Sequence, residues 1–432
     1  MSSADSQLSP RLIVETRPAD HIDDLLEYAD PREPLVWLRR GEGFVAVGGA
    51  SPVAVIRIPG GESGRAVRMA AAWRELSAKA EIDDTVQLPG TGLVAFAALA
   101  FDDRSAASSV LLVPSVIVGR RGRQSWITRV SVAGQELPPL PTAPRGYGAH
   151  WSGTLGPGSL DPGGFQDAVR GGLDAIASGE VSKVVLARDL IGTIPPGADL
   201  RRLARALSTG YPDCWTFAVD GLIGASPETL VTVSKGTVTA RVLAGTTPRG
   251  ADADADAEAS AALATSPKDQ DEHLFAVQSV LKSLRPHTRS LAASEQPFTL
   301  RLPNLWHLAT DVEGELSEEA SGLDLVAVLH PTAAVAGTPT NVALDVIRRL
   351  EPFDRGRYAG PVGWIDGDGD GEWAIALRCA QFAPQPVAGG SSALEPLALT
   401  AHAGAGIVAG SDPESELIET RVKFRPIVDA LA

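Results

Sequence analysis

Between Leu35 and Trp126 most apolar runs are too short for a helix. Gly43-Phe44-Val45-Ala46-Val47, Val53-Ala54-Val55-Ile56-Arg57-Ile58 and Leu111-Leu112-Val113 are each set off by Gly, Pro or Ser. That is the pattern of strands joined by turns. One helix, around Gly64 to Ala80, interrupts them. A Pro/Gly-rich connector follows at 137–164, with Leu137-Pro138-Pro139-Leu140-Pro141 and Asp161-Pro162-Gly163-Gly164. Beyond it Phe165, Val169, Leu173 and Ile176 recur at helical spacing. This predicts an amphipathic helix over 165–178, ended by Gly179. Val184-Val185-Leu186-Ala187 reads as a buried strand, and strands alternate with helices from there to the C-terminus. The first 25 or so residues are polar and are expected to fray. At 432 residues the chain has room for about three average domains, although β-rich enzymes of this size also fold as one unit.

Charge narrows the function. The formal net charge is −15, from 38 Lys and Arg against 53 Asp and Glu. Phosphate backbones and anionic membranes are bound by clustered Lys and Arg, so neither nucleic acid nor a membrane surface is an expected partner. The two cysteines, Cys214 and Cys379, cannot form a disulfide framework or, alone, a structural zinc site. Met1-Ser2-Ser3-Ala4-Asp5 opens without a basic segment leading into an apolar one, and no apolar window reaches about 18 residues. A cytoplasmic protein is expected, and a monomer, since no coiled coil or assembly segment is visible.

Several stretches invite a functional reading that the residues do not sustain. Ala251 to Ala257 alternates Ala and Asp and reads as a solvated loop leading into a helix. Pro384 to Pro396 reads as an insertion between two strands. Asp366-Gly367-Asp368-Gly369-Asp370-Gly371 opens like a calcium loop, but its twelfth position is Leu377 where a bidentate Glu is required, so a hairpin turn is expected. Gly404-Ala405-Gly406 lacks the third Gly of a dinucleotide fingerprint.

Four clusters can carry chemistry, and each has a bland alternative. Lys183 heads the strand Lys183 to Arg188, sharing a face with Val185 and Ala187. It is either a snorkelling edge residue or an amine desolvated enough to act as a base. Glu228 in Gly224-Ala225-Ser226-Pro227-Glu228 is an exposed turn residue or, if buried, a carboxyl fit to donate a proton. A helix begins near Lys268-Asp269-Gln270-Asp271-Glu272-His273, with Leu274, Val277, Leu281 and Leu284 as its apolar stripe. Glu272 lies opposite that stripe, on a solvated face or facing an internal cleft. The last helix is capped by Ser411 or Asp412, with Pro413 in its first turn and Glu414 able to complete a capping box. Glu416, Glu419 and Lys423 share one face of it, as a hard-cation platform or as a surface ion pair of about 0.3–0.5 kcal/mol.

Taken in order, Lys183-Val184-Val185-Leu186-Ala187-Arg188, Gly224 to Glu228, Leu243-Ala244-Gly245-Thr246, Glu272-His273, Leu305-Trp306-His307-Leu308-Ala309-Thr310, His330-Pro331-Thr332, Gly371-Glu372-Trp373, Arg378-Cys379-Ala380, Gly404-Ala405-Gly406-Ile407-Val408 and Glu416 to Lys423 resemble the chorismate-utilising enzymes, and among these the isochorismate synthases. The resemblance is strong from about 160 to 430 and weaker from about 35 to 150. It implies an α/β fold: one large domain over 26–432, with two stacked, mostly antiparallel sheets, helices outside and a deep site between the layers.

The resemblance also implies roles. Lys183 matches the base that activates water for attack at C2 of chorismate. Glu228 matches the acid that protonates the departing C4 hydroxyl, so that the net change is an isomerisation. Glu272 and Glu419 match ligands of Mg²⁺, with Asp269 and Glu416 holding metal-bound waters. Arg378 and backbone N–H groups near Gly404 and Gly406 match a clamp on the enolpyruvyl carboxylate. Tyr358 and Lys423 match further carboxylate contacts, His307 and Thr246 pocket residues. Long-range steering cannot bind a dianion to so acidic a chain, so local cations and amide dipoles must. Lys183 would have to fall from about 10.4 to near neutrality, a perturbation of roughly 4 kcal/mol.

Relatives that install ammonia carry Gln where this chain has Lys183, so water is the expected nucleophile. Salicylate synthases, which go on to eliminate pyruvate, carry Thr where Ala334 stands. Ala334 therefore favours isochorismate formation, and Tyr358, shared with salicylate synthases, keeps salicylate formation as the second reading. A non-catalytic β-rich binding module is the third, and would require Lys183, Glu228, Glu272 and Glu419 to scatter.

Overall fold

The computed structural model describes residues 10–48, 52–141, 144–301, 305–384 and 395–432, apart from the side chains of Thr246, Pro248, Lys268, Glu272 and Leu305. The chain divides into two compact units. The first comprises Met1–Glu228, Pro331–Gly367 and Ala374–Ala432, the second Thr229–His330 and Asp368–Trp373.

The first unit holds a 13-stranded sheet that is antiparallel except where Leu12–Ala19 meets Glu81–Asp84. Four further strands, in the order Pro361–Asp366, Val94–Ala98, Ser109–Val113 and Ala54–Ile58, form a second antiparallel layer. Aromatic rings join the layers: Phe44 of the large sheet meets Phe96 and Trp364 of the other edge-on, at 5.2 and 5.5 Å between centroids. The expected α/β fold with two stacked, mostly antiparallel sheets is the one observed.

The organising element is the strand Lys183–Ile194, paired along its whole length with Leu397–Val408. Both faces of its first half are covered, which is why Val184-Val185-Leu186-Ala187 is apolar without alternation. One face, with Val184 and Leu186, lies under the helix Pro162–Ala177. A Cβ added to Gly172 of that helix would stand 3.2 Å from a methyl of each. Arg188 on the same face donates to Thr420 Oγ1 at 2.8 Å and lies over the Phe424 ring, fastening the last helix, Pro413–Leu431. The other face carries Lys183, Val185 and Ala187.

The second unit is built on the antiparallel strands Thr288–Ala293, Leu305–Leu316, Thr237–Pro248 and Thr229–Ser234 in that order, with Phe298–Arg301 beside Leu305–Leu316. Helices Ala253–Thr265, Pro267–Leu284 and Gly322–Leu329 accompany them.

Local expectations are met in part. Helix Arg65–Ser77 lies where one was expected, and Asp366 to Gly371 is the turn between two strands. Asp370 there accepts the backbone N–H of Gly236 at 3.0 Å, a structural use of its carboxylate. The connector at 137–164 contains a strand, Thr154–Pro157, because it completes the edge of Leu190–Thr193. The Ala/Asp stretch is helical from Ala253, since Asp252 caps the N–H of Ala255. Asp412, not Ser411, caps the last helix, and Ser411 instead accepts from Val408 N–H. Leu274 is 56% exposed, whereas His273 is 2% exposed and takes the inward place on that helix. Residues 385–394 of the expected insertion, and 1–9 of the expected frayed terminus, lie outside the described residues. The rest of that terminus is not frayed: Leu12–Ala19 is a strand of the large sheet, held between Gln124–Val132 and Glu81–Asp84 with Leu12, Val14 and Thr16 buried. Among the described residues no helix is long and apolar enough to cross a membrane.

Candidate active site

In the first unit Lys183 is half-buried at the head of its strand. Across the ladder from this face, Gly404 and Gly406 supply no side chains, and a Cβ on Gly406 would lie 3.3 Å from Lys183 Cε. Val185 N–H bonds Ala336 O at 2.9 Å and Ala187 N–H bonds Glu351 at 2.8 Å. Val185–Gly406 and Ala187–Gly404 are therefore the non-hydrogen-bonded pairs of the ladder. The N–H groups of Gly404 and Gly406 point to the opposite edge, as an amide clamp on an anion requires. On that edge Gly404 O accepts from Lys423 Nζ at 2.8 Å.

Glu228 follows the strand Leu222–Ser226, and Pro227 takes the chain out of the sheet. Its backbone is pinned on both sides: its N–H donates to Ser226 Oγ at 3.2 Å, and its carbonyl accepts from Ile375 N–H at 3.0 Å. Burial pushes its carboxyl above the ordinary range, while the charges of Lys183, Lys423 and Arg378 pull the other way. A carboxyl raised by burial is suited to give up a proton. Arg378 has a left-handed backbone, φ 49°, and its carbonyl accepts from Ala225 N–H at 3.2 Å, one strand from Glu228.

On the last helix Lys423 pairs with Glu419 at 2.6 Å. Both are about a third exposed, so the pair contributes at most about 1 kcal/mol to stability. Burial raises the carboxyl of Glu416; Ser411 and Lys423 oppose this, and the charge of Glu419 adds to it. Two carboxylates that repel each other and offer hard oxygens suit a divalent cation. Among the described residues no three His, Cys, Asp or Glu side chains converge as a ligand set. Tyr358 is buried and stacks on His402 at 5.1 Å, and burial raises its hydroxyl far above the ordinary range. His402, which sequence reasoning passed over, is pushed down to about 4 by burial, so it is neutral. Ala334 is exposed, in the turn closed by Ala336 N–H to Thr332 O at 3.0 Å.

In the second unit Thr246 and His307 are register partners, just past a bulge at Gly245, whose φ is 74°. A Cβ on Gly245 would lie 3.4 Å from Cβ of Asp269, so the bulge admits the helix there. His273 fastens the same helix: its ring nitrogens lie 3.0 Å from Ala244 O and 2.7 Å from Thr310 Oγ1, and burial shifts its pKa downward. Thr246, His307 and Asp269 are thus gathered around one bulge, while the side chain of Glu272 lies outside the description. The anchoring by His273 was illegible in the sequence, because its partners lie on two strands.

A family model described as chorismate binding enzyme matches residues 153–432. The chain belongs to the chorismate-binding enzyme family. It is 40% identical over 283 residues to isochorismate synthase DhbC of Bacillus subtilis, covering 63% of this chain and 68% of that protein. It is 36% identical over 270 residues to isochorismate synthase EntC of Escherichia coli, covering 61% of this chain and 66% of that protein. The solved structure of MenF, the menaquinone-specific isochorismate synthase of Escherichia coli, superposes with a TM-score of 0.71 at 25% identity, over 98% of this chain and 95% of that one. The more divergent N-terminal part of this chorismate-binding enzyme therefore shares the fold as well.

Proposed function

We propose that this enzyme converts chorismate to isochorismate. The observation that carries the reading is Glu228: a carboxyl raised by burial, with Lys183, Lys423 and Arg378 near enough to oppose that rise. Lys183 takes a proton from water as it attacks C2, both ring double bonds shift (C1=C2 to C1=C6 and C5=C6 to C4=C5), and Glu228 gives its proton to the C4 hydroxyl, which leaves as water. One water enters and one departs, so the net reaction is an isomerisation. Hydroxyl is a poor leaving group and neutral water a poor nucleophile, so both ends of the conjugated diene need help. Arg378, with the amides of Gly404 and Gly406, would hold a substrate carboxylate, and Lys423 sits at the same strand edge. Lys183, where ammonia-using relatives carry Gln, supports water as nucleophile. Ala334, where salicylate synthases carry Thr, supports a reaction that stops at isochorismate.

Mg²⁺ is part of the proposal. Of the four carboxylates expected around it, Glu416 and Glu419 have surroundings that fit, because their mutual repulsion would be relieved by a dication. Bound there, the ion supplies positive charge for the ring carboxylate. The contributions of Asp269, Glu272, Thr246 and His307 rest on the resemblance alone.

Purified protein given chorismate with Mg²⁺ should yield isochorismate without pyruvate, and metal removal by a chelator should stop turnover. Salicylate with an equivalent of pyruvate would replace the proposal with the salicylate reading, and unchanged chorismate would remove both.

A further inference from the structure

The strand Lys183–Ile194 has a gap along its outer edge. Thr338 and Gly337 pair with Lys183 and Val184, and Thr154–Pro157 pairs with Leu190 to Thr193. From Val185 to Asp189 no described strand lies on that edge. A buried ion pair stands there instead. Arg355 Nη2 donates to Val185 O at 2.8 Å, and Ala187 N–H donates to Glu351 Oε1 at 2.8 Å. These are two of the backbone groups that a neighbouring strand would engage; a third, Val185 N–H, donates to Ala336 O at 2.9 Å. The pair is closed on itself, with Arg355 Nε 2.8 Å from Glu351 Oε2 and Nη2 2.5 Å from Oε1. The side chains are 3% and 1% exposed, and the guanidinium lies 4.5 Å from the Phe101 ring centroid. Its remaining nitrogen, Nη1, donates to Val335 O at 2.9 Å, next to Ala334.

Burying two charges is costly unless geometry is good and every remaining donor and acceptor is used. Here those bonds go to the strand behind Lys183 and to the loop after Ala334. A helix end can cover a strand edge with apolar side chains, but only directed polar groups can satisfy its N–H and C=O. They also oppose a register slip, which would turn Lys183 to the wrong face.

We propose that Glu351 and Arg355 are a positioning pair, acting as a surrogate strand that fixes Val185 to Ala187 and hence the placement of Lys183, and, through Val335, the turn carrying Ala334. The proposal rests on the reading of Lys183 as the base. Neither residue belongs to the clusters that sequence reasoning singled out.

The test uses Glu351→Gln, which keeps an oxygen for Ala187 N–H but removes the charge, and Arg355→Lys, which keeps the charge but loses the fork. Both are assayed with chorismate alongside Lys183→Ala, and folded fraction is followed by circular dichroism. The expected result is folded enzyme whose kcat falls on the order of 10-fold or more. KM should stay within about threefold, as expected when an interaction acts on the reacting groups and not on binding. The pH–rate profile should shift, and amide exchange at Ala187 should accelerate. Unchanged kcat per folded molecule, or unchanged exchange at Ala187, would overturn the proposal. If Lys183→Ala retained turnover, the reading of Lys183 would fail by itself, and exchange at Ala187 would still decide whether the pair holds the strand.

Discussion

Lys423 reaches across from the last helix and donates to the carbonyl of Gly404 at 2.8 Å. The same ammonium pairs with Glu419 at 2.6 Å and lowers the carboxyl of Glu228. One cation therefore couples the glycine strand, the acidic face of the helix and the proposed acid.

Replacing it separates these effects. Lys423→Met should raise KM for chorismate about 10-fold or more, the cost of losing a charge-assisted hydrogen bond to substrate, with a smaller fall in kcat. Because Lys423 pulls the Glu228 carboxyl down, its loss should let that carboxyl rise and move the basic limb of the pH–rate profile upward. Steady-state kinetics across pH reads both changes, and an unchanged KM would remove Lys423 from substrate binding.

Glu228 makes opposite demands on stability and activity. Its folded carboxyl lies above the ordinary value of 4.5, so above that pH the folded state keeps a proton that the unfolded state has released. Its contribution to stability is complete below the unfolded value and is lost as pH rises through the folded one. Glu228→Gln should melt higher than the parent, with a margin that widens from acidic to mildly alkaline pH, while losing most turnover. Thermal melts at several pH values check this, and a margin independent of pH would contradict the burial-driven shift.

The two glycines opposite Lys183 should fail differently when given a side chain. A Cβ at Gly404 would lie 2.6 Å from Leu186 O, which is backbone and cannot move away. Gly404→Ala should cost about 1–3 kcal/mol, visible in denaturant unfolding. A Cβ at Gly406 meets only the Lys183 side chain, Cε at 3.3 Å and Nζ at 3.9 Å. Gly406→Ala should fold nearly normally and lose kcat. Equal behaviour of the two variants would contradict the placement of Lys183 over Gly406.

The sequence was most legible where a residue's role follows from its own neighbours. The buried run at Val184 to Ala187, the helix after Asp161 and the turn at Asp366 to Gly371 all follow from local pattern and are present. Roles that depend on distant chain segments were not legible. Leu274 looked like part of an apolar stripe, but the inward place went to His273, whose partners are Ala244 and Thr310. Ala251 to Ala257 reads as a loop leading into a helix, but the helix already begins at Ala253, because Asp252 caps it and Asp256 pairs with Arg249. Glu351 and Arg355 are four residues apart in an unremarkable stretch, and only the gap in the strand edge gives them a task. The candidate site was legible as a set of residue types in order, a consequence of family resemblance more than of spacing.

Oxygen isotope transfer reaches the chemistry most directly. Chorismate converted by the enzyme in water enriched in oxygen-18 should give isochorismate carrying one solvent oxygen, at the C2 hydroxyl, by mass spectrometry and NMR. Isochorismate whose C2 oxygen is unlabelled would show that the hydroxyl migrates within the substrate, and would contradict the activation of water by Lys183.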